Sequence, residues 1–244
     1  MSDNHQYPFD ARILPDPETK NRLVTNLNER FSEPRLGIHV SDLVYCLRQS
    51  VFRKITPKPN GECELSYYTA GRGHHDLLEG LHGAQREVQR DWEGVQAHFD
   101  LLDEQVLEIK TSRSAEREPK RHWILQLAFY CVIQNQSTGK LIVLYLYPQR
   151  ATKGNPKPSP DMIQTYTVNF PNIEEVRRVL RERRDLLVKA LEARNPTLVP
   201  GVMYDKDSKW LCKHCQYKSE CESQESNNPT ETRSATKPKG GENA

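Results

Sequence analysis

The sequence predicts an α/β fold, in which helices flank a central sheet, and three observations support this prediction. The stretch from Ala97 to Ser112 carries two apolar segments on either side of the polar run Asp103 to Gln105, as in two strands joined by a turn. Leu141 to Tyr147 is a continuous apolar run, which is typical of a buried strand. Between them, Trp123 to Gln136 has apolar residues at helical spacing.

Length and composition limit the classes of protein to which the chain can belong. Its 244 residues allow one large domain or two small ones, and 36% hydrophobic and 28% charged residues suit a soluble protein with a modest core. No apolar run approaches the length of a membrane span, and the N-terminus lacks the pattern of a signal peptide, so we expect a cytoplasmic protein without a membrane partner. A net charge of +2 means that nucleic acid would have to bind a local basic face.

The N-terminal half is predicted to contain three helices and a strand ahead of the hairpin. Residues 1–37 form a polar arm and a first helix, because apolar residues recur at helical spacing only from Pro17 to Phe31. Ser41 and Asp42 are predicted to cap a single helix that runs through Cys46 to Ile55. A further helix is predicted from Leu65 to about Leu81, and a strand from Glu87 to Trp92.

The C-terminal half is predicted to contain a strand, a long helix and a tail. Residues 148–160 are basic and proline-rich, and Met162 to Phe170 alternates as a strand does. Asn172 can cap a helix from Ile173 to Arg194, whose arginines are interspersed with acidic residues and are interpreted as a solvated surface. Residues 223–244 contain no large apolar residue and are predicted to be disordered.

The hairpin carries the residues with the clearest potential chemistry. If its turn centres on Glu104, Asp100 and Glu108 lie opposite each other, with Cβ atoms about 5 Å apart. Two carboxylates so placed repel unless a cation lies between them, although an exposed strand edge would explain the same residues. Asp100, Glu108 and the carbonyl oxygen of Ile109 could bind Mg²⁺ or Mn²⁺, and Lys110 could orient a water or stabilise negative charge.

The cysteines predict a second site. Six cysteines without an export signal favour metal or cluster ligation over disulfides, and Cys212, Cys215 and Cys221 have metal-like spacing. Three thiolates are one short of the usual four ligands. The candidates for the fourth are Cys46, Cys63, Cys131 and His214; we favour Cys46 and interpret Cys131 as a core residue. Zinc and an iron–sulfur cluster both suit such a set.

Three further groups are ambiguous when the residues are considered alone. His75 is adjacent to His74 on a predicted helix, and a lone histidine is more often a core or surface residue than a ligand. Gln126 and Tyr130 are four residues apart and share a helix face, which could simply pack on the sheet. Basic residues that follow the hairpin are the better candidates for DNA contacts, namely Arg113, Arg117, Lys120 and Arg121.

Taken in order, these motifs resemble the PD-(D/E)XK nucleases, and among them the RecB-like exonucleases of CRISPR systems, the fourth protein family of the Cas set. The resemblance covers about residues 38–222. Its four motifs are Gly71-x3-His75 followed by Asp76-Leu-Leu-Glu79, Asp100 with Glu108-Ile-Lys110, Gln126-x3-Tyr130, and Cys46 far upstream of Cys212, Cys215 and Cys221. One departure is Ala97, which stands where the family often has glycine, three residues before the motif aspartate.

The resemblance implies a restriction-endonuclease-like central mixed sheet flanked by helices, in a nuclease domain of residues 38–222. Residues 203–222 would be a cluster-binding segment packed on the N-terminal helix that bears Cys46, with a [4Fe–4S] cluster on the four cysteines. His75 would join Asp100, Glu108 and Ile109 around Mg²⁺ or Mn²⁺, and Gln126 and Tyr130 would complete the catalytic set with Lys110.

The activity implied is cleavage of DNA, chiefly single-stranded and from an end. In CRISPR adaptation such proteins trim DNA before an integrase inserts it as a spacer, so integrase proteins are the implied partners. Two alternatives remain open on the sequence: a standalone or viral nuclease of repair or recombination, and a non-catalytic DNA-binding assembly subunit. The sequence leaves cleavage polarity and oligomeric state open.

Overall fold

A computed structural model describes residues 16–31, 36–78, 85–114, 118–147, 163–202 and 208–226. The helices are α1 Pro17–Phe31, α2 Val40–Val44, α3 Leu47–Ile55, α4 Glu62–Leu78, α5 Arg121–Ile133, α6 Ile173–Glu192 and α7 Lys218–Ser226, with short 3₁₀ helices at Pro196–Leu198 and Lys209–His214. The strands are β1 Ile38–His39, β2 Gln85–Trp92, β3 Val95–Leu102, β4 Val106–Ser114, β5 Thr138–Tyr147 and β6 Ile163–Asn169. Helix α1 and residues 59–69 belong to one compact unit, and the sheet belongs to another.

The six strands form one mixed sheet. Its order is β1-β3-β4-β5-β6, and β2 pairs with β3. The β1–β3 and β4–β5 pairs are parallel, whereas β2–β3, β3–β4 and β5–β6 are antiparallel. The predicted central mixed sheet with flanking helices is therefore confirmed.

Strands β3 and β4 pair over only a short distance, and this creates space for polar side chains. Their register joins Leu101 to Leu107 and Leu102 to Val106, so the predicted turn between them is confirmed. Continuing this register would place Asp100 opposite Glu108, but the backbone pairing ends at Leu101. The two carboxylates therefore lie where the strands stop sharing backbone hydrogen bonds.

Helix α5 packs closely on the sheet. It is buried from Gln126 to Val132, as expected from its run of apolar residues. A Cβ atom at Gly139 of β5 would lie only 2.7 Å from Leu127 Cδ1 and 2.8 Å from Cys131 Sγ. Glycine at this position therefore allows the helix to approach the strand.

Several predicted elements agree with the structure. Helix α1 has the predicted bounds. The Asn172 side chain accepts a hydrogen bond from the Glu175 N–H at 3.2 Å, so the predicted cap of α6 is confirmed. Strand β6 alternates between exposed and half-buried residues, as predicted.

The predicted helix from Ser41 to Ile55 is wrong, because it is two helices. The break falls at Tyr45 and Cys46, and Cys46 is the N-cap of α3 rather than an interior residue. Arg183 of α6 explains the break, since its guanidinium donates to the carbonyl oxygens of Leu43 and Tyr45. In a continuous helix these oxygens would accept hydrogen bonds from residues four positions later.

Two other boundaries also differ. Helix α4 begins at Glu62, three residues before the predicted start at Leu65. Helix α7 continues to Ser226, so the predicted disordered tail from residue 223 starts within a helix, and residues 227–244 lie outside the described residues.

The predicted arm up to residue 15 and the predicted loop of residues 148–160 also lie outside the described residues. Within the ranges described, no helix is long and apolar enough to cross a membrane.

Candidate active site

A row of polar side chains connects β4 to α5. Lys110 Nζ lies 2.5 Å from Glu108 Oε1 and donates a hydrogen bond of 2.9 Å to Gln126 Oε1. Gln126 Nε2 then donates to the Tyr130 hydroxyl at 3.1 Å. Glu108 is only 1% exposed, so its charge is balanced inside the protein by Lys110 rather than by bulk water.

Helix geometry and packing position the α5 end of this row. Gln126 and Tyr130 are four residues apart, which places them on one face of α5. The Tyr130 ring also packs edge-on against Phe99 of β3, with ring centroids 4.9 Å apart. Gln126 and Tyr130 therefore pack on the sheet and also orient Lys110. A packing role and a role in the site are compatible for this pair.

Asp100 is attached to β4 through its side chain. Its Oδ2 atom accepts a hydrogen bond of 2.9 Å from the N–H of Ile109. The Ile109 side chain is fully buried and packs with Leu101 and Leu107. This hydrogen bond keeps the Asp100 carboxylate beside β4 after the backbone pairing has ended.

The surroundings of Lys110 keep it positively charged. Burial by itself disfavours the ammonium form, but the Glu108 carboxylate, followed by Tyr45 and Asp100, outweighs this effect and raises the pKa of Lys110 above its ordinary value. At neutral pH, Lys110 is therefore a hydrogen-bond donor and a positive charge, and it cannot accept a proton.

The donor set at this site fits a hard divalent cation. Asp100 and Glu108 offer carboxylate oxygens, and Ile109, whose N–H bonds to Asp100, offers a backbone carbonyl, which are the ligand types that Mg²⁺ and Mn²⁺ prefer. Among the described residues, no three histidine, cysteine, aspartate or glutamate side chains are grouped to hold a metal ion. His75 lies on α4, but its side chain is outside the described part.

Two of the four basic residues predicted to contact DNA lie at the start of α5. Lys120 is the N-cap residue, with its ammonium 5.1 Å from the centre of the Trp123 ring. Arg121 is the first residue of the helix and is exposed. Arg113 lies near the end of β4 but its side chain is not described, and Arg117 lies outside the described ranges.

The four cysteines of the second predicted site line one small cavity. Cys46, Cys212, Cys215 and Cys221 all contribute to its wall. Burial raises the pKa of the Cys212 and Cys215 thiols, and the nearby Cys46 thiol adds to the rise. An all-sulfur donor set suits either zinc or an iron–sulfur cluster. The structure therefore places the four cysteines around one cavity, but among the described residues no three of them are grouped closely enough to hold a metal ion.

Among the described side chains, those of Cys131 and His214 do not line this cavity. Cys131 is completely buried in the core, and burial raises the pKa of its thiol to about 12, in agreement with its interpretation as a core residue. His214 is exposed at the end of the second 3₁₀ helix. The Cys63 side chain is not described.

Protein contacts hold the cysteine segment against α3, as the predicted packing requires. Tyr217 is 1% exposed and stacks on Phe52, with centroids 5.3 Å apart and ring planes at 7°. The Lys58 backbone N–H donates to the Tyr217 hydroxyl at 3.2 Å, and the Lys58 ammonium donates to the Gln216 carbonyl at 3.0 Å. Arg48 donates to the Val199 carbonyl at 3.1 and 3.2 Å.

Sequence reasoning missed three residues that organise these sites, namely Tyr45, Arg183 and Tyr217. Tyr217 is two residues after Cys215, and this proximity was the available signal. Arg183 lies among solvated arginines of α6, and nothing in the sequence distinguishes it from them. Tyr45 is next to Cys46, but its relation to Lys110 depends on the fold.

Comparisons with known proteins give one family and one similar fold. The family model described as the PD-(D/E)XK nuclease superfamily matches residues 53–222. The crystal structure of SSO0001 aligns with a TM-score of 0.54 and 21% identity, over 84% of this chain and 96% of that chain. This similarity agrees with the restriction-endonuclease-like fold implied by the sequence.

Two exonuclease structures align more weakly. The phage-related exonuclease from Haemophilus somnus 129PT gives a TM-score of 0.45 and 12% identity, over 68% of this chain and 96% of that chain. The alkaline exonuclease LHK-Exo from Laribacter hongkongensis gives 0.40 and 12%, over 64% and 90%. The search of curated proteins returned no match.

Proposed function

Because the chain belongs to the PD-(D/E)XK nuclease superfamily, we propose that it is a metal-dependent exonuclease that acts mainly on single-stranded DNA. The observation that carries this proposal is the buried row of Glu108, Lys110, Gln126 and Tyr130 beside Asp100. A solvated strand edge would not need to bury Glu108 to 1% exposure and compensate it with a lysine. The row also argues against a non-catalytic assembly subunit, which would not need to retain it.

The residues of this row have distinct roles in the proposed reaction. Asp100, Glu108 and the Ile109 carbonyl would hold Mg²⁺ or Mn²⁺, with His75 as a further ligand. A divalent cation bound there would polarise the scissile phosphodiester and lower the pKa of the attacking water. Lys110 donates hydrogen bonds to that water or to the negative charge that develops on phosphate. Gln126 fixes the Lys110 ammonium, and Tyr130 fixes the Gln126 amide.

Basic residues after β4 would position the DNA backbone. Lys120 and Arg121 lie at the N-terminal end of α5, the helix that also carries Gln126. With Arg113 and Arg117 they would contact phosphates, which bring affinity without sequence preference. Such contacts suit an enzyme that shortens DNA of any sequence.

Linear and circular substrates test the proposed activity. With Mn²⁺ we expect labelled linear single-stranded DNA to be degraded, circular single-stranded DNA to remain intact, and chelation or Asp100→Ala to stop the reaction. Equal cleavage of the circle would show an endonuclease instead. Cleavage by Asp100→Ala at the wild-type rate would contradict the assignment of the site.

The second part of the proposal is a [4Fe–4S] cluster on Cys46, Cys212, Cys215 and Cys221. It is supported by the cavity that these four cysteines share and by their all-sulfur chemistry. Bound there, the cluster would cross-link α3 to the C-terminal segment. An anaerobic preparation should be brown and contain iron and acid-labile sulfide in equal amounts. A colourless preparation that contains zinc instead of iron would show that the four cysteines bind zinc and not a cluster.

The biological role that we propose is trimming of DNA for spacer acquisition in CRISPR adaptation, with integrase proteins as partners, in the cytoplasm. The ordered set of four motifs supports this role, and the same motifs would also suit a standalone or viral repair nuclease. A pull-down with purified integrase, together with the length of the spacers inserted, tests it. Loss of length control on Asp100→Ala substitution is expected, and unchanged spacer lengths without binding would favour the standalone nuclease.

A further inference from the structure

A row of three rings leads from the break between α2 and α3 to the protein surface. Tyr45, at that break, carries the first ring. The Tyr45 ring is 5.3 Å from the His122 ring, and the His122 ring is 5.5 Å from that of Trp210, between centroids. Trp210 is 46% exposed, which is unusual for so large an apolar side chain. His122 lies four residues before Gln126 on α5, so the row and the proposed reaction site share one face of this helix.

Separate parts of the fold hold these rings in place. The Tyr45 carbonyl accepts a hydrogen bond of 2.7 Å from Arg183 Nη2, which fixes the backbone at the break between α2 and α3. His122 lies in the first turn of α5, where its ring also contacts Trp123 edge-on at 5.8 Å. Trp210 belongs to the segment that Tyr217 anchors to Phe52. The rings are thus positioned before any ligand binds.

The surroundings of the rings combine apolar surface with positive charge. All three line a groove of about 570 Å³ whose wall also includes Arg121. Lys120 precedes Arg121 in the chain, and its ammonium lies over the Trp123 ring. The acidic lining residue Glu175 is bonded to Arg178, which offsets its charge. Flat rings beside cations suit a ligand that is both planar and anionic.

The protonation state of His122 agrees with a stacking role. Burial, with the positive charges of Lys120 and Lys110, lowers the pKa of His122 to about 4. The imidazole is therefore neutral at physiological pH. It is an uncharged ring between those of Tyr45 and Trp210, while the phosphate charge can be balanced by Lys120 and Arg121.

We propose that Tyr45, His122 and Trp210 form a stacking platform for the bases of single-stranded DNA, with Lys120 and Arg121 beside its phosphates. This inference rests on the proposed function and specifies how the site selects its substrate. Unpaired bases can stack on aromatic rings whatever their sequence. In duplex DNA the bases stack on one another, so the platform would discriminate against the duplex.

Variants of Trp210 test the platform by binding in the absence of cleavage. Fluorescence anisotropy with a labelled thymidine oligonucleotide in EDTA measures the affinity of each variant. Trp210→Leu keeps an apolar side chain but removes the ring, and it should weaken binding about tenfold. Trp210→Phe keeps an aromatic ring and should retain most of the affinity. Leu186→Ala removes an exposed apolar side chain of α6 outside the groove and should bind like the wild type. Thermal unfolding verifies that each variant is folded.

The outcomes separate the platform from the nuclease assignment. Wild-type affinity in Trp210→Leu, or an equal loss of affinity for single-stranded and duplex DNA, would overturn the platform. With Mn²⁺ added, Asp100→Ala should lose cleavage. If Asp100→Ala loses cleavage and Trp210→Leu still binds normally, the platform is wrong and the nuclease assignment stands. If Asp100→Ala still cleaves, the nuclease assignment itself is wrong.

Discussion

The two candidate sites of this protein are built in different ways. The carboxylate site, which consists of Asp100, Glu108, Lys110, Gln126 and Tyr130, comes from three consecutive elements of the chain and is held together by charges and hydrogen bonds. The cysteine site, which consists of Cys46, Cys212, Cys215 and Cys221, joins two distant segments. Apolar packing and hydrogen bonds of other residues hold it, chiefly Phe52 and Tyr217.

The two sites therefore differ in whether the same residues provide both the proposed function and the stability. In the carboxylate site, Glu108 and Lys110 neutralise each other's buried charge, so altering either of them should cost both activity and stability. In the cysteine site, Tyr217 and Lys58 do much of the positioning, so the Cys212 thiol should be replaceable without releasing the segment.

The largest effect is expected at Lys110. Lys110→Met leaves the Glu108 carboxylate buried without its cation, and it should lower the free energy of unfolding by about 3 kcal/mol and the cleavage rate by about a thousandfold. The double variant Glu108→Gln, Lys110→Met should recover most of the stability and none of the activity. Urea unfolding and single-turnover cleavage measure the two quantities. Equal stability of Lys110→Met and wild type would contradict the account of the buried pair.

Tyr217 should have the next largest effect, and on stability alone. Tyr217→Ala removes a buried ring from its stack on Phe52 and should cost about 3 kcal/mol, whereas Tyr217→Phe keeps the ring and loses the hydrogen bond from Lys58 to the hydroxyl, at about 1 kcal/mol. In metal-free protein, Cys212→Ser is the matched control and should cost less than about 1 kcal/mol. Urea unfolding measures all three. If the serine variant unfolds as readily as Tyr217→Ala, the thiols themselves hold the segment.

Gly139 tests whether the carboxylate site depends on the close approach of α5. In Gly139→Ala the new methyl would meet Leu127 and Cys131, and overpacking of this kind should cost about 1–3 kcal/mol. Because α5 carries Gln126, the cleavage rate should fall as well. Gly61→Ala, whose methyl would meet no described atom within 4 Å, serves as the control. Unchanged stability and rate in Gly139→Ala would show that α5 can shift freely.

The smallest effect concerns His122, which lies between the two sites. Its pKa is lowered to about 4 in the folded protein, while the unfolded chain has an ordinary value of about 6.5. Between these pH values His122 binds more protons in the unfolded state than in the folded state. The free energy of unfolding therefore falls as the pH falls from about 6.5 towards about 4, and His122 does not change it above about pH 6.5. His122→Gln should lose less stability than the wild type between pH 7.5 and 5, as measured by urea unfolding. Identical pH profiles would contradict the buried neutral imidazole.

Most of the carboxylate site could be predicted because its contacts are local in sequence. The turn after Leu102 fixes the β3–β4 register, and the register brings Asp100 near Glu108. Helical spacing puts Gln126 and Tyr130 on one face. The sequence could not show that Asp100 bonds to the Ile109 N–H, because this hydrogen bond depends on where the pairing ends.

The remaining features depend on contacts between distant residues. Val44 and Leu47 are both buried, so apolar spacing continues through the break that Arg183 makes between α2 and α3. Arg183 looks like its neighbours in the sequence, but it is the arginine of α6 that reaches those carbonyls. The row of Tyr45, His122 and Trp210 likewise joins three separate elements, and no local pattern indicates it.

The most direct test of the carboxylate site is the single-turnover cleavage of end-labelled single-stranded DNA by Asp100→Asn at saturating Mn²⁺. Asparagine keeps an oxygen that can accept the Ile109 N–H, so the fold should be retained while a charged oxygen ligand is lost. We predict a rate at least about a thousandfold below that of the wild type, with unchanged thermal unfolding. A folded variant that cleaves within about threefold of the wild-type rate would contradict the proposed metal site.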